Sequence, residues 1–191
     1  MSAPILTVAN QLTLLRMGLA PLLVVLVLQG RMGWALGVFV VAGLTDALDG
    51  LIARLGRQQT TLGAMLDPVA DKVLMTSSFI ALTWGSGLAI AIPVWLTVVI
   101  LSRDAIIIVS VAIVNLTLGR RIFYPSLLGK LSTVSQLLTV GLVLLANVVG
   151  GGRLLRHVFT VTLVLTVASA LHYVYLASTR GPGKPPGEPA A

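Results

Sequence analysis

The chain of 191 residues contains no cysteine and carries little charge. The missing cysteines exclude disulfides, thiolate metal sites and cysteine nucleophiles. Charged residues make up 10% of the chain, whereas soluble domains carry about 25%. There is also no long basic run and no basic stripe interleaved with aromatic residues. The net charge of +7 therefore does not indicate a nucleic-acid partner.

The chain is rich in apolar residues. They make up 57% of the chain, and the mean hydropathy is +1.00. Apolar runs of about 20 residues recur, which is the length that a membrane span requires. The segment Met1–Asn10 lacks a basic region typical of a signal peptide, so we expect the first span to be retained. The sequence predicts an all-α, polytopic integral membrane protein with six transmembrane helices in the lipid bilayer.

The order of apolar and polar stretches defines the expected spans and their limits. The spans are predicted at residues 12–28, 33–53, 62–84, 94–116, 130–149 and 157–177. Pro68 predicts a kink in the third span, or a helix start near Asp67. We expect one membrane domain over residues 1–178. Residues 179–191 are rich in proline and glycine and are expected to form a disordered cytoplasmic tail.

Basic residues are distributed unequally between the two sides of the predicted bundle. One side holds Arg54, Arg57, Arg120, Arg121, Lys130, Arg180 and Lys184, and the other holds Arg31, Arg153 and Arg156. Basic residues accumulate on the cytoplasmic side of membrane proteins. We therefore expect a multi-pass protein of the cell (inner) membrane, with both termini and the second loop facing the cytoplasm.

Four of the six acidic residues lie between positions 46 and 71, inside apolar flanks: Asp46, Asp49, Asp67 and Asp71. A carboxylate near hydrocarbon is costly unless a cation or a water-filled cavity compensates it. The cluster therefore indicates a bound metal ion. The alternative is that the four residues are solvated helix ends that happen to be acidic.

The spacing within the cluster suggests its chemistry. Asp46 and Asp49 are three residues apart, and Asp67 and Asp71 are four apart, so each pair shares one helix face. Carboxylate oxygens suit Mg²⁺, Mn²⁺ or Ca²⁺, and enzymes that use Mg²⁺ usually share it with substrate phosphates. These residues favour metal-assisted phosphoryl-type transfer, with one carboxylate left as a general base.

Small and basic residues flank the carboxylates. The small side chains of Gly50, Ala53 and Gly63 leave room for a ligand to approach the backbone. Arg54 is placed to neutralise phosphate charge at the rim of the site.

Two further arginines lie within predicted spans. Arg16 either extends to the lipid headgroups or, with Asn10 and Thr13, faces the polar site. Arg103 either binds substrate or forms a structural ion pair with Asp104.

The acidic stretch resembles the signature of the CDP-alcohol phosphatidyltransferase family. All eight fixed positions match at the family's spacing: Asp46-x2-Asp49-Gly50-x2-Ala53-Arg54-x8-Gly63-x3-Asp67-x3-Asp71. Two further elements are also similar to the family, an N-terminal one (Asn10, Thr13, Arg16) and a later one (Gly129, Lys130, Thr133, Gln136). The tail is not covered by the resemblance.

The resemblance implies a homodimer of six-helix subunits that transfers a phosphatidyl group from CDP-diacylglycerol and releases CMP. It implies that Asp46, Asp49 and Asp67 bind the metal, and that Asp71 lies in the same set and acts as the base. The donor-binding residues that follow from the motif and the resemblance are Gly50, Ala53, Arg54, Gly63, Asn10 and Thr13. The expected acceptor-binding residues are Arg16, Arg103, Arg120, Arg121 and Lys130.

The resemblance leaves two glycerol-type acceptors open. The Ser102-Arg103-Asp104 sequence, with Phe123 and Pro125 ahead of Lys130, is similar to the cardiolipin-forming branch, in which phosphatidylglycerol is the acceptor. The alternative is glycerol 3-phosphate. Its phosphomonoester carries nearly two negative charges, and Arg103, Arg120, Arg121 and Lys130 are candidates to bind it.

Other functions are less consistent with the sequence. An ion or metal transporter also carries intramembrane aspartates, but no inverted repeat is visible here. An intramembrane prenyl transferase needs two more widely separated acidic clusters. His157 and His172 are isolated in sequence and are interpreted as interfacial or packing residues.

Overall fold

The computed structural model describes residues 8–56, 61–118 and 127–179, with side chains at residues 11, 13–46, 69–110, 127–173 and 175. Within these ranges the chain forms helices and no strand. The helices are α1 (Val8–Leu28), α2 (Met32–Gly56), α3 (Thr61–Trp84), α4 (Val94–Leu118), α5 (Leu127–Val149) and α6 (Leu155–Thr179). Each helix coincides with one predicted span, so the all-α class is confirmed. The expected tail lies almost entirely outside the described residues.

The predicted helix start near Asp67 is wrong, because α3 begins at Thr61 and is continuous through Pro68. A proline inside a helix removes one backbone donor. Membrane helices tolerate this loss when neighbouring groups satisfy the freed carbonyl.

Two helical segments within the described residues are long and apolar enough to cross a membrane, namely Leu127–Val149 and Leu155–Tyr173. The apolar segments Thr13–Leu28 and Met32–Asp46 are shorter. Within the described residues, length and hydropathy thus identify two membrane spans, and the predicted number of six is not confirmed.

The chain divides into two compact units, of which the first comprises residues 1–92 and 140–153. In this unit α1 packs against both α2 and α3. Its buried stripe contains Thr13, Arg16, Ala20, Leu23 and Val27, which recur every three or four residues as one face of a helix does. Because α1 contacts both acidic helices, a residue on this stripe can reach both of them.

The end of α1 is set by Gly30, which has a φ of 70°. The Arg31 amide donates to the Leu26 carbonyl over 2.9 Å, and the Gly30 amide donates to Val27 over 3.0 Å. Glycine adopts this left-handed conformation without steric cost, and the two bonds satisfy carbonyls at the helix end. The turn reverses the chain so that α2 can return along α1.

Asn147 of α5 fastens the connection between α3 and α4. Its Oδ1 accepts hydrogen bonds from the amides of Ala89 and Ile90 over 2.9 and 3.1 Å. Its Nδ2 donates to the carbonyls of Ile90 and Val143, each over 2.8 Å. A single side chain thereby satisfies backbone groups of a non-helical segment that has few partners of its own.

The second unit comprises residues 93–139 and 154–191, and in it α4 packs against α6. Buried hydroxyl groups link α5 to α6. Thr139 Oγ1 and Thr162 Oγ1 are 2.8 Å apart, and Ser132 Oγ and Thr166 Oγ1 are 3.2 Å apart. Such hydrogen bonds between helices replace the hydrophobic driving force, which is weak between helices surrounded by lipid.

Candidate active site

The centre of the candidate site is Arg16, on the buried stripe of α1. Its side chain is only 1% exposed. Arg16 Nη1 lies 2.9 Å from Asp46 Oδ1 and 2.6 Å from Asp71 Oδ1. One nitrogen of α1 therefore joins a carboxylate of α2 to a carboxylate of α3. Of the two interpretations of Arg16, the structure is consistent with the one in which it faces the acidic residues rather than the headgroups.

Asp46 and Asp71 remain accessible although Arg16 is buried. Their side chains are 52% and 48% exposed, respectively. The ion pairs with Arg16 orient one oxygen of each carboxylate, and the contact with Asp71 is also a charged hydrogen bond. The arrangement presents two oriented carboxylates to a ligand that arrives from outside the helix packing.

The other motif residues lie on the same two helices. Asp49, Gly50, Ala53 and Arg54 lie within α2, Gly63 and Asp67 lie within α3, and Asn10 lies within α1. Their side chains lie outside the described residues, so the predicted four-carboxylate pocket is described only through Asp46 and Asp71. Thr13 is fully buried on the Arg16 face of α1.

The two described carboxylates fit a divalent metal. They supply hard oxygen donors, they come from two helices, and they converge on one nitrogen while staying open to solvent. Among the side chains that the structure describes, no group of three His, Cys, Asp or Glu residues could hold a metal ion. The side chains of Asp49 and Asp67 lie outside the described residues.

Arg103 belongs to the second unit and pairs with its neighbour Asp104. Arg103 Nη1 lies 2.8 Å from Asp104 Oδ1, and each side chain is 10% exposed. Arg103 Nη2 also donates to Ser169 Oγ of α6 over 2.7 Å. Asp104 thus compensates the guanidinium charge within the protein. This agrees with the interpretation of Arg103 as a member of a structural ion pair.

Of the remaining predicted acceptor residues, the structure describes the side chain of Lys130 only. Lys130 is exposed near the start of α5, while Arg120 and Arg121 lie outside the described residues. In the later element, Gln136 is buried and its Nε2 donates to Ser132 Oγ over 3.3 Å. Gln136 therefore helps to link the polar groups of α5.

Sequence reasoning missed two contacts of these residues. It placed Arg16 near the acidic helices but did not identify one nitrogen as their common partner. The signal was available: an arginine within an apolar helix, on the same face as Thr13, needs an internal carboxylate. The contact from Arg103 to Ser169 joins residues 66 positions apart. A serine in an apolar helix gives no comparable signal.

Comparison with known proteins agrees with this geometry. The model of the CDP-alcohol phosphatidyltransferase family matches residues 6–173. That range includes α1 with Arg16 and both acidic helices. The chain belongs to the CDP-alcohol phosphatidyltransferase family.

Individual relatives carry two different names. The chain is 38% identical over 187 residues to cardiolipin synthase (CMP-forming) of Rattus norvegicus, covering 88% of this chain and 61% of the relative. It is 36% identical over 165 residues to the protein of the same name in Streptomyces coelicolor, covering 81% and 73%. It is also 36% identical over 186 residues to a probable phosphatidylglycerophosphate synthase of Mycobacterium tuberculosis, covering 90% and 82%. The chain thus spans less than two thirds of the rat relative's length.

Proposed function

We propose that this protein transfers the phosphatidyl group of CDP-diacylglycerol to a glycerol-type hydroxyl, with release of CMP, in phospholipid biosynthesis. The reaction depends on a divalent cation, Mg²⁺ or Mn²⁺. The preferred acceptor is phosphatidylglycerol, which makes the product cardiolipin. The second candidate acceptor is glycerol 3-phosphate, which gives phosphatidylglycerol phosphate.

The observation that carries the proposal is the convergence of Asp46 and Asp71 on Arg16 within the segment matched by the family model. Two acidic helices with accessible carboxylates at one point would suit a divalent cation, which would neutralise charge on the pyrophosphate of the donor. Asp49 lies three residues after Asp46 in α2, and Asp67 lies four residues before Asp71 in α3. This helical spacing supports their inclusion in the same ligand set.

In this mechanism Asp71 is the general base. It takes the proton of the acceptor hydroxyl, whose oxygen forms a bond to the phosphorus of the phosphatidyl group. The bond between that phosphorus and the CMP oxygen breaks, and CMP leaves with the electron pair. Asp46, Asp49, Asp67 and Asp71 would hold a divalent cation, which would neutralise the pyrophosphate charge.

The donor-binding residues follow from the family motif. Gly50, Ala53 and Gly63 leave space for the cytidine nucleotide to approach the helix backbones. Arg54 compensates phosphate charge. Asn10 and Thr13 extend the donor site along α1.

The choice of acceptor rests on charge and on the relatives. The phosphomonoester of glycerol 3-phosphate needs more basic groups than the phosphodiester of phosphatidylglycerol does. Arg16 and Arg103 both have carboxylate partners, so Lys130, Arg120 and Arg121 are left for the acceptor phosphate. Relatives named cardiolipin synthase favour phosphatidylglycerol, and the mycobacterial relative supports glycerol 3-phosphate.

The proposed setting is a homodimer in the cell (inner) membrane. Residues 1–178 form the membrane domain with six spans, residues 179–191 form a cytoplasmic tail, and the acidic motif faces the cytoplasm. Exposed apolar side chains on all six helices support the assignment of six spans, because they suit contact with lipid. Examples are Leu22, Val40, Ile80, Val98, Val134 and Val164.

The experiment that tests the acceptor is lipid product analysis with purified protein in mixed micelles containing CDP-diacylglycerol and Mg²⁺ or Mn²⁺. Phosphatidylglycerol and glycerol 3-phosphate are supplied separately, and lipids are resolved by thin-layer chromatography. We expect cardiolipin with phosphatidylglycerol and little product with glycerol 3-phosphate. The reverse pattern would assign the second candidate, and metal flux into vesicles without any lipid product would indicate a transporter.

A further inference from the structure

We infer that Arg16 is a positioning residue that fixes Asp46 relative to Asp71 and lowers the affinity of the acidic site for divalent cations. The inference rests on the proposed function, because it assigns a role within the same metal site. It differs from the acceptor-binding role that the family resemblance implies for Arg16, and it comes from the contacts of one buried nitrogen.

The contact geometry restricts what Arg16 can do. Its Nη1 atom lies within 2.9 Å of oxygens on both α2 and α3, and its side chain is 1% exposed. The guanidinium is enclosed by the packing of α1 against α2 and α3. A group with so little access to solvent is poorly suited to meet an incoming acceptor molecule. It is well suited to hold two carboxylates at a constant separation.

Positioning matters because the two carboxylates are accessible and carry like charges. Asp46 and Asp71 are about half exposed, and two carboxylates close together repel each other. One guanidinium nitrogen between them removes that repulsion and fixes the orientation of each Oδ1 atom. The orientation of Asp71 matters most, because catalysis by a general base depends on its reach to the transferred proton.

The same contact places a permanent positive charge beside the proposed metal ligands. Repulsion between this charge and a divalent cation opposes metal binding, and at an effective dielectric near the protein surface the effect corresponds to about tenfold or more in affinity. A site with lowered affinity would let a bound cation exchange readily. The negative charge of the donor pyrophosphate would then offset the repulsion between Arg16 and the cation.

Loss of Arg16 is therefore expected to strengthen metal binding and to slow catalysis. Without the positive charge, the metal is attracted more strongly. The two exposed carboxylates can still close around the metal, so the loss of prior positioning does not cancel this gain. The base is no longer held in place, so turnover falls. Simple disruption of the fold would instead weaken both properties.

The experiment compares Arg16→Met, which keeps the length of the side chain but removes the charge, with Arg16→Lys, which keeps the charge but loses the rigid guanidinium. Arg31→Met is the matched control, because Arg31 is exposed at the turn after α1. Binding of Mn²⁺ to each purified protein is measured by electron paramagnetic resonance without donor, and kcat and KM for CDP-diacylglycerol are measured separately.

We expect Arg16→Met to bind Mn²⁺ at least about tenfold more tightly than the unmodified protein while its kcat falls at least about tenfold. Arg16→Lys should bind Mn²⁺ within about twofold of the unmodified protein and show a lowered kcat, since a flexible ammonium positions carboxylates less well. Arg31→Met should change neither quantity. Equal or weaker Mn²⁺ binding by Arg16→Met would overturn the inference.

Two outcomes separate this inference from the proposed function. If the unmodified protein binds no Mn²⁺ and its turnover is independent of metal, the proposed metal-dependent function fails. If the unmodified protein binds Mn²⁺ but Arg16→Met binds it equally well, only the role of Arg16 fails. Should Arg16→Met not fold, Arg16→Lys decides the positioning role: a lowered kcat at unchanged Mn²⁺ affinity supports it, and an unchanged kcat overturns it.

Discussion

Arg16 Nη1 lies 2.6 Å from Asp71 Oδ1, although the two residues are 55 positions apart in the chain. The contact joins α1 to α3 at the position where the family motif places its last aspartate. Because Asp71 is half exposed while Arg16 is buried, the arginine orients the carboxylate from behind and leaves its outer side accessible. The proposed base is therefore held from the interior of the first unit and meets its substrate from outside.

Replacement of Asp71 by asparagine tests the role of the base. The amide has the same shape and its Oδ1 still accepts a hydrogen bond from Arg16, but it cannot take up a proton. We expect kcat to fall by about 10²- to 10⁴-fold, the usual contribution of a general base. Binding of CDP-diacylglycerol should be largely retained. The measurements are initial rates of CMP release and equilibrium binding of the donor.

The matched control for this substitution is Glu188→Gln, which removes a carboxylate outside the motif and should leave turnover unchanged. Turnover by Asp71→Asn at more than about a tenth of the unmodified rate would contradict the assignment, since the loss would fall below the range typical of general-base catalysis.

Replacement of Asp46 by asparagine tests the metal site. A charged ligand oxygen is lost, so the concentration of Mg²⁺ or Mn²⁺ for half-maximal activity should rise at least about tenfold, in line with the 1.5–3 kcal/mol of a charged contact. Donor binding should weaken as well, because the metal links the pyrophosphate to the protein. A titration of activity against metal concentration measures this change. An unaltered titration curve would remove Asp46 from the ligand set.

The ion pair between Arg103 and Asp104 predicts a different pattern in the second unit. Asp104→Leu alone leaves a buried guanidinium without its carboxylate and should destabilise the protein by about 3–5 kcal/mol. The double variant Arg103→Met/Asp104→Leu should recover most of that loss. Thermal unfolding in detergent micelles compares the two variants with the unmodified protein.

The double variant also tests the function of Arg103. If the pair is structural, the double variant retains lipid synthesis at a rate near that of the unmodified protein. Loss of synthesis by a stably folded double variant would return Arg103 to the acceptor-binding residues.

The hydrogen bonds of Asn147 predict a purely structural effect. Asn147→Leu removes the partner of two backbone amides and one carbonyl in the connection after α3. These groups are exposed or part-buried, so each lost hydrogen bond should cost about 0.5–1.5 kcal/mol, and the unfolding temperature should fall. Asn147→Asp keeps the acceptor oxygen, so its unfolding temperature should lie between those of the unmodified protein and of Asn147→Leu. Equal unfolding temperatures for all three proteins would show that the connection does not depend on this side chain.

Much of the fold was predictable because apolar runs of membrane length are separated by short polar connections. The predicted spans at 33–53 and 94–116 lie within α2 and α4 and differ from them by at most three residues at either end. The predicted third span at 62–84 also agrees with α3, which begins at Thr61. Only the alternative of a helix start near Asp67, suggested by Pro68, is wrong, because a helix can incorporate a proline in its interior. The sequence shows that a proline removes a backbone donor from a helix. It does not show which neighbouring groups satisfy the carbonyl that loses its partner.

For residues of the candidate site that are close in sequence, the sequence makes a definite prediction, and the placement of Asp49 and Asp67 stays a prediction. The spacing of Asp46 to Asp49 and of Asp67 to Asp71 defines helix faces without any knowledge of packing. Contacts between distant helices are different. The meeting of Arg16 with both carboxylates, and of Arg103 with Ser169, depends on how α1 and α6 pack, and hydropathy does not encode that packing.

The most direct test of the central claim is the release of CMP from CDP-diacylglycerol by purified protein, measured with and without a divalent cation and with and without a glycerol-type acceptor. The proposed mechanism predicts rapid release of CMP, with a stoichiometric lipid product, only when cation and acceptor are both present. Release that persists in the presence of a chelator, or no release with either phosphatidylglycerol or glycerol 3-phosphate, would contradict it.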